Sequence, residues 1–269
     1  MNDLPSHDPN RCRVIGVLDD GVASLGATAL AHLRTADVVI GGARTLALFR
    51  HALKPGTLTH DLTGQLKAVP GWVRAAREAH QSCVVLATGD PLCHGIAPYL
   101  AQHLCLDALE ILPNLSTLQL ACARVGLAWQ DARIVSVHAA DAGEWQRGAP
   151  PSHGLYALAQ ALRAEQRLLL LTSPANCPDR IARLLLAEGL GSDFHMAVAE
   201  DLLQPDEQVH AQLSPTEAAS MRFAELNVVL LWRTRPRPQP VRFGLADSAF
   251  EQRQPEKGLI TKQAARAVR

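Results

Sequence analysis

The sequence predicts an α/β protein built of two domains, and three observations carry that expectation. Short apolar runs that read as strands alternate with helix-like segments over most of the 269 residues. Several of those runs are apolar without a break, as strands buried on both faces are. The alternation restarts after Pro113-Asn114, which puts the boundary between the two domains there.

In chain order the expected strands are RVIGV (13–17), DVVIG (37–41), CVVLA (83–87) and LEILP (109–113) in the first domain. RIVSV (133–137), RLLLLTS (167–173), FHMAVAE (194–200) and LNVVLLW (226–232) follow in the second. Two helices between them are clear. Residues 23–34 place Leu25, Ala29, Leu30 and Leu33 on one face. Pro178-Asp179 opens a helix carrying Ile181, Leu184, Leu185 and Leu186, which Gly189 terminates. Such alternation implies a parallel arrangement of strands in each domain. The expected organisation is a flexible tail (1–12), a first domain (13–112), a second domain (113–232) and a Pro/Arg linker with tail (233–269). The end of that tail has helix-forming character around Thr261–Val268.

Composition narrows the function classes. Apolar residues make up 48% and charged residues 19%, which excludes general disorder. Lys+Arg and Asp+Glu are both 26, so net charge gives no long-range pull toward nucleic acid or an anionic membrane, a local basic patch aside. No apolar run approaches the roughly 18 residues that span a bilayer, and MNDLPSHDPNRCR lacks the apolar stretch of a secretory signal. A cytoplasmic protein is expected. Its six cysteines form no CxxC pair, so reduced thiols and no metal site are expected as well.

The motifs sit at strand ends. The first strand runs into Gly16-Val17-Leu18-Asp19-Asp20-Gly21, whose aspartates oppose a pyrophosphate and suit a neutral or cationic ligand; an ordinary strand–helix turn is the alternative. CVVLA feeds Thr88-Gly89-Asp90-Pro91-Leu92-Cys93-His94-Gly95, which puts a carboxylate and backbone amides where open α/β sheets bind ligands. A plain Asx-Pro turn competes with that reading. At the joint, the hydroxyls of Ser116 and Thr117 either cap a helix or meet a ligand. His138 closes the fifth predicted strand, where an imidazole either binds an anion or moves a proton, or is merely solvated. Cys93-His94 is no nucleophile pair, since adjacent turn residues point apart.

Together and in this order these segments resemble the tetrapyrrole methylases, and within them the precorrin C5-methyltransferase branch. The resemblance runs over about residues 13–232. It is carried by VIGVLDDG (14–21), ADVVIGGARTL (36–46), VVLATGDPLCHGIA (84–97) and ILPNLSTLQLACARVGLAW (111–129). VSVHAAD (135–141), LLTSPANCPDRIARLL (170–185), AVAEDLLQPDEQV (197–209) and FAELNVVLL (223–231) continue it through the second domain. Residues 241–269 resemble the lead-in to a second, C15-methylating and decarboxylating domain found fused behind this branch.

The resemblance implies a two-domain fold with a cofactor cleft between the domains, S-adenosylmethionine as cofactor and methyl transfer to C5 of a precorrin or cobalt-precorrin in cobalamin biosynthesis. It implies cofactor contacts at Gly16, Asp19, Gly89, Asp90, Cys93, Ser116, Thr117, Leu171 and Thr172, and substrate contacts at Arg44 and His138, with His138 also the candidate proton acceptor. A small-molecule tetrapyrrole, a second copy of the chain and a downstream C15-methylating domain or protein are the expected partners. Three departures from the family pattern matter, one of them a glycine lost from the Glu-x-Leu-Gly type segment, which reads Glu200-Asp201-Leu202-Leu203. Leu18 stands where the family favours glycine and is expected to make the first loop less open to cofactor. Ala139-Ala140 stand where Gly-Arg is usual, which removes a substrate-carboxylate contact.

Overall fold

The computed structural model describes residues 10–236. Residues 10–234 belong to one compact unit; Arg235–Arg269 form another, of which only Arg235 and Pro236 are described. Most of the expected N-terminal tail and the expected helix around Thr261–Val268 lie outside the described residues.

The first half of the unit is a parallel sheet. Its strands are β1 (Cys12–Val17), β2 (Val38–Gly41), β3 (Leu58–Asp61), β4 (Cys83–Thr88) and β5 (Leu109–Leu112), in the order β3-β2-β4-β1-β5. Helices α1 (Ala27–Thr35), α2 (Ala43–Phe49), α3 (Val69–Glu78) and α4 (Ala97–Leu104) connect them. Both sheet faces are covered, which explains the unbroken apolar runs. Ile15, Val39 and Val84 pack with Leu33 and Phe49 on one side, while Val14, Ile40 and Val85 pack with Val73 and Leu100 on the other. Cys12, expected in the loose tail, is instead the fully buried first residue of β1. The helix expected over 23–34 starts later: Gly21–Ser24 form one 3-10 turn, and Gly26 is extended (φ −63°, ψ 156°) before α1 begins.

The second half corrects an expectation. It contains α5 (Thr117–Val125), β6 (Arg133–Ser136), α6 (Tyr156–Ala164), β7 (Arg167–Leu171), α7 (Pro178–Ala187), β8 (Phe194–Glu200), β9 (Gln208–Leu213), α8 (Pro215–Ala218) and β10 (Asn227–Arg233). Its sheet, ordered β6-β7-β10-β8-β9, is mixed: β6 and β7 are parallel, but β10 is antiparallel to both β7 and β8, and β9 to β8. The cause is connection length. A parallel crossover needs about a dozen residues or more, and the Asp201–Glu207 link is too short for one, so the chain turns back as a hairpin. In α7, Ile181, Leu184 and Leu185 are buried as expected, whereas Leu186 faces solvent. Arg233, expected in the linker, ends β10 with its guanidinium 4.6 Å from the Phe194 ring centroid and donating to the Leu162 carbonyl at 2.7 Å.

A buried leucine crosses between the halves. Leu18, just past β1, is only 5% exposed and packs in a cluster with Leu118, Leu120, Ala121, Leu202 and Leu230 of the second half. Burying a leucine is worth roughly 1.5–3 kcal/mol, so Leu18 bolts the first loop to the second core.

Candidate functional site

The first wall of the site is made of backbone. Past β4, Gly89 takes a left-handed conformation (φ +71°) and donates its amide to the Val17 carbonyl at 2.7 Å, tying the β4 loop to the end of β1. The Asp90 carboxylate then accepts from the Leu92 amide at 2.9 Å, and Cys93 N donates to Asp90 O at 3.0 Å. The second glycine of the motif is required sterically, since a Cβ on Gly95 would lie 2.4 Å from the Pro91 carbonyl oxygen. Between them His94 is held at φ +55°, a region non-glycine residues seldom adopt.

Gly16 has a different part from the expected one. It does not line the cavity; a Cβ there would sit 2.2 Å from Gly89 O and 2.6 Å from Asn114 N. Glycine at this point lets β1, the β4 loop and the joint close on one another. Asn114 fastens the joint, donating from Nδ2 to Gly16 O at 3.3 Å and to Ser24 O at 3.1 Å. Ser116 lies in the cavity lining, but its hydroxyl caps α5: Gln119 N donates to Ser116 Oγ at 3.2 Å, and Gln119 Oε1 accepts from Ser116 N at 2.8 Å.

The second wall is made of side chains. Thr172, beyond β7, has its Oγ1 2.7 Å from Asn227 Oδ1 and 3.1 Å from Asn227 O. Both neighbours are acceptors, so the one hydroxyl proton is committed to Asn227 and the lone pairs of Oγ1 remain for a donor. Asn227 is oriented in turn by donating from Nδ2 to Ala224 O at 2.6 Å.

A cavity of about 400 Å³ opens between these walls. It brings together Asp19, Arg44, Gly89, Asp90, Cys93, Ser116, Thr117, His138, Leu171 and Thr172, which leaves Gly16 alone of the predicted residues outside the lining. Arg44 is not a free cation at its mouth: Nη1 lies 2.9 Å from Asp19 Oδ1. Burial, and after it the Asp90 charge, push the Cys93 thiol up, so Cys93 is held as a neutral thiol. Leu18 is absent from the lining; its side chain turns into the second core. Ala139 is packed in place, with a Cβ on Gly154 falling 2.8 Å from its own. A wider concavity of about 690 Å³ lies beside α2 and β3, but none of the predicted residues reaches it.

Sequence reasoning set His94 aside and missed the Glu225–Val228 part of the lining. The latter sits at the start of a strand. It reaches the site because β10 is antiparallel to β7, pairing Val228 with Leu171. The available signal was the short Asp201–Glu207 link, which turns β9 back; the connection through α8 then keeps β10 running in the direction of β9.

Similarity to known proteins agrees with this geometry. Residues 12–215 match the family model of the tetrapyrrole (corrin/porphyrin) methylases. The chain is 33% identical over 258 residues to a precorrin-6Y C(5,15)-methyltransferase [decarboxylating] of Sinorhizobium sp, covering 95% of this chain and 57% of that relative. It is 29% identical over 218 residues to a cobalt-precorrin-7 C(5)-methyltransferase of Salmonella typhimurium, covering 81% of this chain and 96% of the relative. Among solved structures, a uroporphyrin-III C-methyl transferase from Thermus thermophilus complexed with S-adenyl homocysteine superposes with a TM-score of 0.58. Its identity is 23%, over 82% of this chain and 97% of that one, and it shows the shared fold. With a glycine-shaped first wall, a cleft between two unlike sheets and a family match over most of its described length, the chain belongs to the tetrapyrrole methylases.

Proposed function

We propose that this chain transfers a methyl group from S-adenosylmethionine to C5 of a precorrin or cobalt-precorrin intermediate in cobalamin biosynthesis. The observation that carries the reading is the polarity of the cleft. Asp90 and Glu225 bring carboxylates to its lining and Thr172 an acceptor oxygen, a set that suits a ligand bearing an ammonium, a sulfonium and amino donors. The volume of about 400 Å³ falls in the roughly 300–1,000 Å³ of small-molecule sites. S-adenosylmethionine fits the residues present. Two relatives carry C(5) methyl transfer in their names, which supports the choice of ring carbon.

S-adenosylmethionine, when bound, supplies a methyl group already activated on a sulfonium. The chain then has to hold, orient and keep dry, since positioning alone removes much of the barrier of such a transfer. Asp90, braced by the Leu92 amide, accepts from ligand N–H groups. Thr172 does the same from the other wall, and Leu171 supplies apolar contact beside it. Gly16 and Gly89 let the backbone come close, and the lining backbone of Ser116-Thr117 closes the cavity at the joint. At the mouth Arg44 and His138 orient substrate carboxylates, with Asp19 holding Arg44 until a carboxylate replaces it. The imidazole of His138 is the candidate proton acceptor.

The same reading divides the unit into domains at 13–112 and 113–232, working in the cytoplasm as a homodimer, with a C15-methylating and decarboxylating domain or protein acting downstream. Incubation with a precorrin intermediate and S-adenosylmethionine carrying a 13C methyl tests the function. Label at C5 is expected. Label on another ring carbon would make it a different tetrapyrrole methylase, and no transfer would make it a silent binding module.

A further inference from the structure

Behind the second wall runs a hydrogen-bond chain that starts at the far edge of the sheet. Glu200, the last residue of β8, is 6% exposed. Its Oε2 lies 2.9 Å from His210 Nε2 on the edge strand β9, and its Oε1 accepts from the Ala224 amide. The Ala224 carbonyl accepts from Asn227 Nδ2 at 2.6 Å, and Asn227 Oδ1 accepts from Thr172 Oγ1 at 2.7 Å. A second tie reaches the same turn: Asp201 N donates to Leu226 O at 2.9 Å from a left-handed backbone (φ +46°). Each link leaves its groups satisfied, as buried polar groups must be.

We propose that Glu200 is a positioning residue for the cleft: its carboxylate sets the Ala224–Asn227 turn, and through Asn227 commits the Thr172 proton away from the cavity, so that Thr172 meets the ligand as an acceptor. The proposal rests on the cleft being the S-adenosylmethionine site. The choice of residue type follows from the geometry. Two diverging acceptors on one rigid plane are needed, one for an imidazole on β9 and one for an amide in the turn, and a carboxylate supplies both. Without it the Ala224 amide loses its buried acceptor, the turn is released and Asn227 no longer dictates which way the threonine proton points. Glu200 itself is not in the cavity lining, so its effect on a ligand must pass through the turn.

The test is calorimetric titration of the full chain with S-adenosylhomocysteine, beside thermal melts. Glu200→Ala is expected to weaken binding about tenfold, a hydrogen bond's worth. Glu200→Gln keeps a carbonyl oxygen for Ala224 and is expected to stay within about threefold of the wild type. Because Glu200 acts through Thr172, Glu200→Ala added to Thr172→Val is expected to cost nothing further, where independent effects would multiply. Glu200→Met fills the space without an acceptor and is measured alongside, in case Glu200→Ala does not fold. Wild-type affinity in a folded Glu200→Ala or Glu200→Met, full multiplication with Thr172→Val, or loss of folding in both acceptor-free variants would overturn the proposal. If the wild type itself fails to bind, it is the reading of the cleft that falls.

Discussion

The two walls of the cleft are built by opposite means. The first is mostly backbone: Gly16 lets β1, the β4 loop and the joint approach until no Cβ fits, Gly95 does the same within the β4 loop, Gly89 takes a left-handed turn, and main-chain amides with the Asn114 side chain do the fastening. The second is a relay of side chains, Glu200, Asn227 and Thr172, placed by an antiparallel strand. A backbone wall fails at once when atoms are added. A relay fails by degrees, as links are removed, and the two walls should respond to mutation accordingly.

The largest effect is expected on the backbone side. Gly16→Ala drives a methyl into two backbone atoms, and overpacking of this kind costs about 3 kcal/mol of stability. Denaturant unfolding and an S-adenosylhomocysteine titration check it; a variant as stable as the wild type would mean the close approach is soft. Leu18→Ala, at the bolt between the halves, should cost about 2–3 kcal/mol by the same unfolding measurement, as buried leucine truncations do. It should bring no gain in affinity. Tighter binding by this variant would support an obstructing role for Leu18.

On the side-chain face, acid is the lever. Glu188 is buried and accepts from Trp145 Nε1 at 2.8 Å and from Arg163 at 2.6 Å, which anchors the long loop that follows His138. Burial pushes its carboxyl up, but the Arg163 and Trp145 hydrogen bonds outweigh that and hold it below the ordinary glutamate value. A depressed folded value stabilises above the unfolded value and loses that contribution as pH falls through the folded one. The melting temperature should therefore drop below roughly pH 4.5 less steeply in Glu188→Gln than in the wild type. Equal slopes would remove Glu188 from the acid limb. The smallest effect belongs to the mouth, where Asp19 and Arg44 are partly exposed and the pair is worth under about 1 kcal/mol. Asp19→Asn should tighten binding of a tetrapyrrole polycarboxylate by a few-fold, and Arg44→Ala should weaken it. Weaker binding by Asp19→Asn would make Asp19 a ligand contact rather than a holder of Arg44.

The same contrast explains what could be read from the residues alone. Strands β1, β4, β7, β8 and β10 are visible because burial on both faces makes them unbroken apolar runs. β3, whose residues are mostly exposed, and the edge strand β9 carry no such mark. The Gly-Asp-Pro loop is legible because a backbone wall needs particular residues at particular spacings. The start of β10 is not, since nothing local in Leu226-Asn227-Val228 tells that the strand runs backwards; only the short link after β8 and the connection through α8 do. Leu18 was legible as a departure but not as a bolt, because its partners Leu118 and Leu202 are distant in sequence.

The central claim is that one ligand is held by both walls at once. Titration of S-adenosylhomocysteine into the wild type, Asp90→Ala and Thr172→Val tests it most directly. Each variant should fold normally and lose about five- to tenfold in affinity, one lost hydrogen bond apiece. Full affinity in either variant would leave the ligand on a single wall and contradict the account.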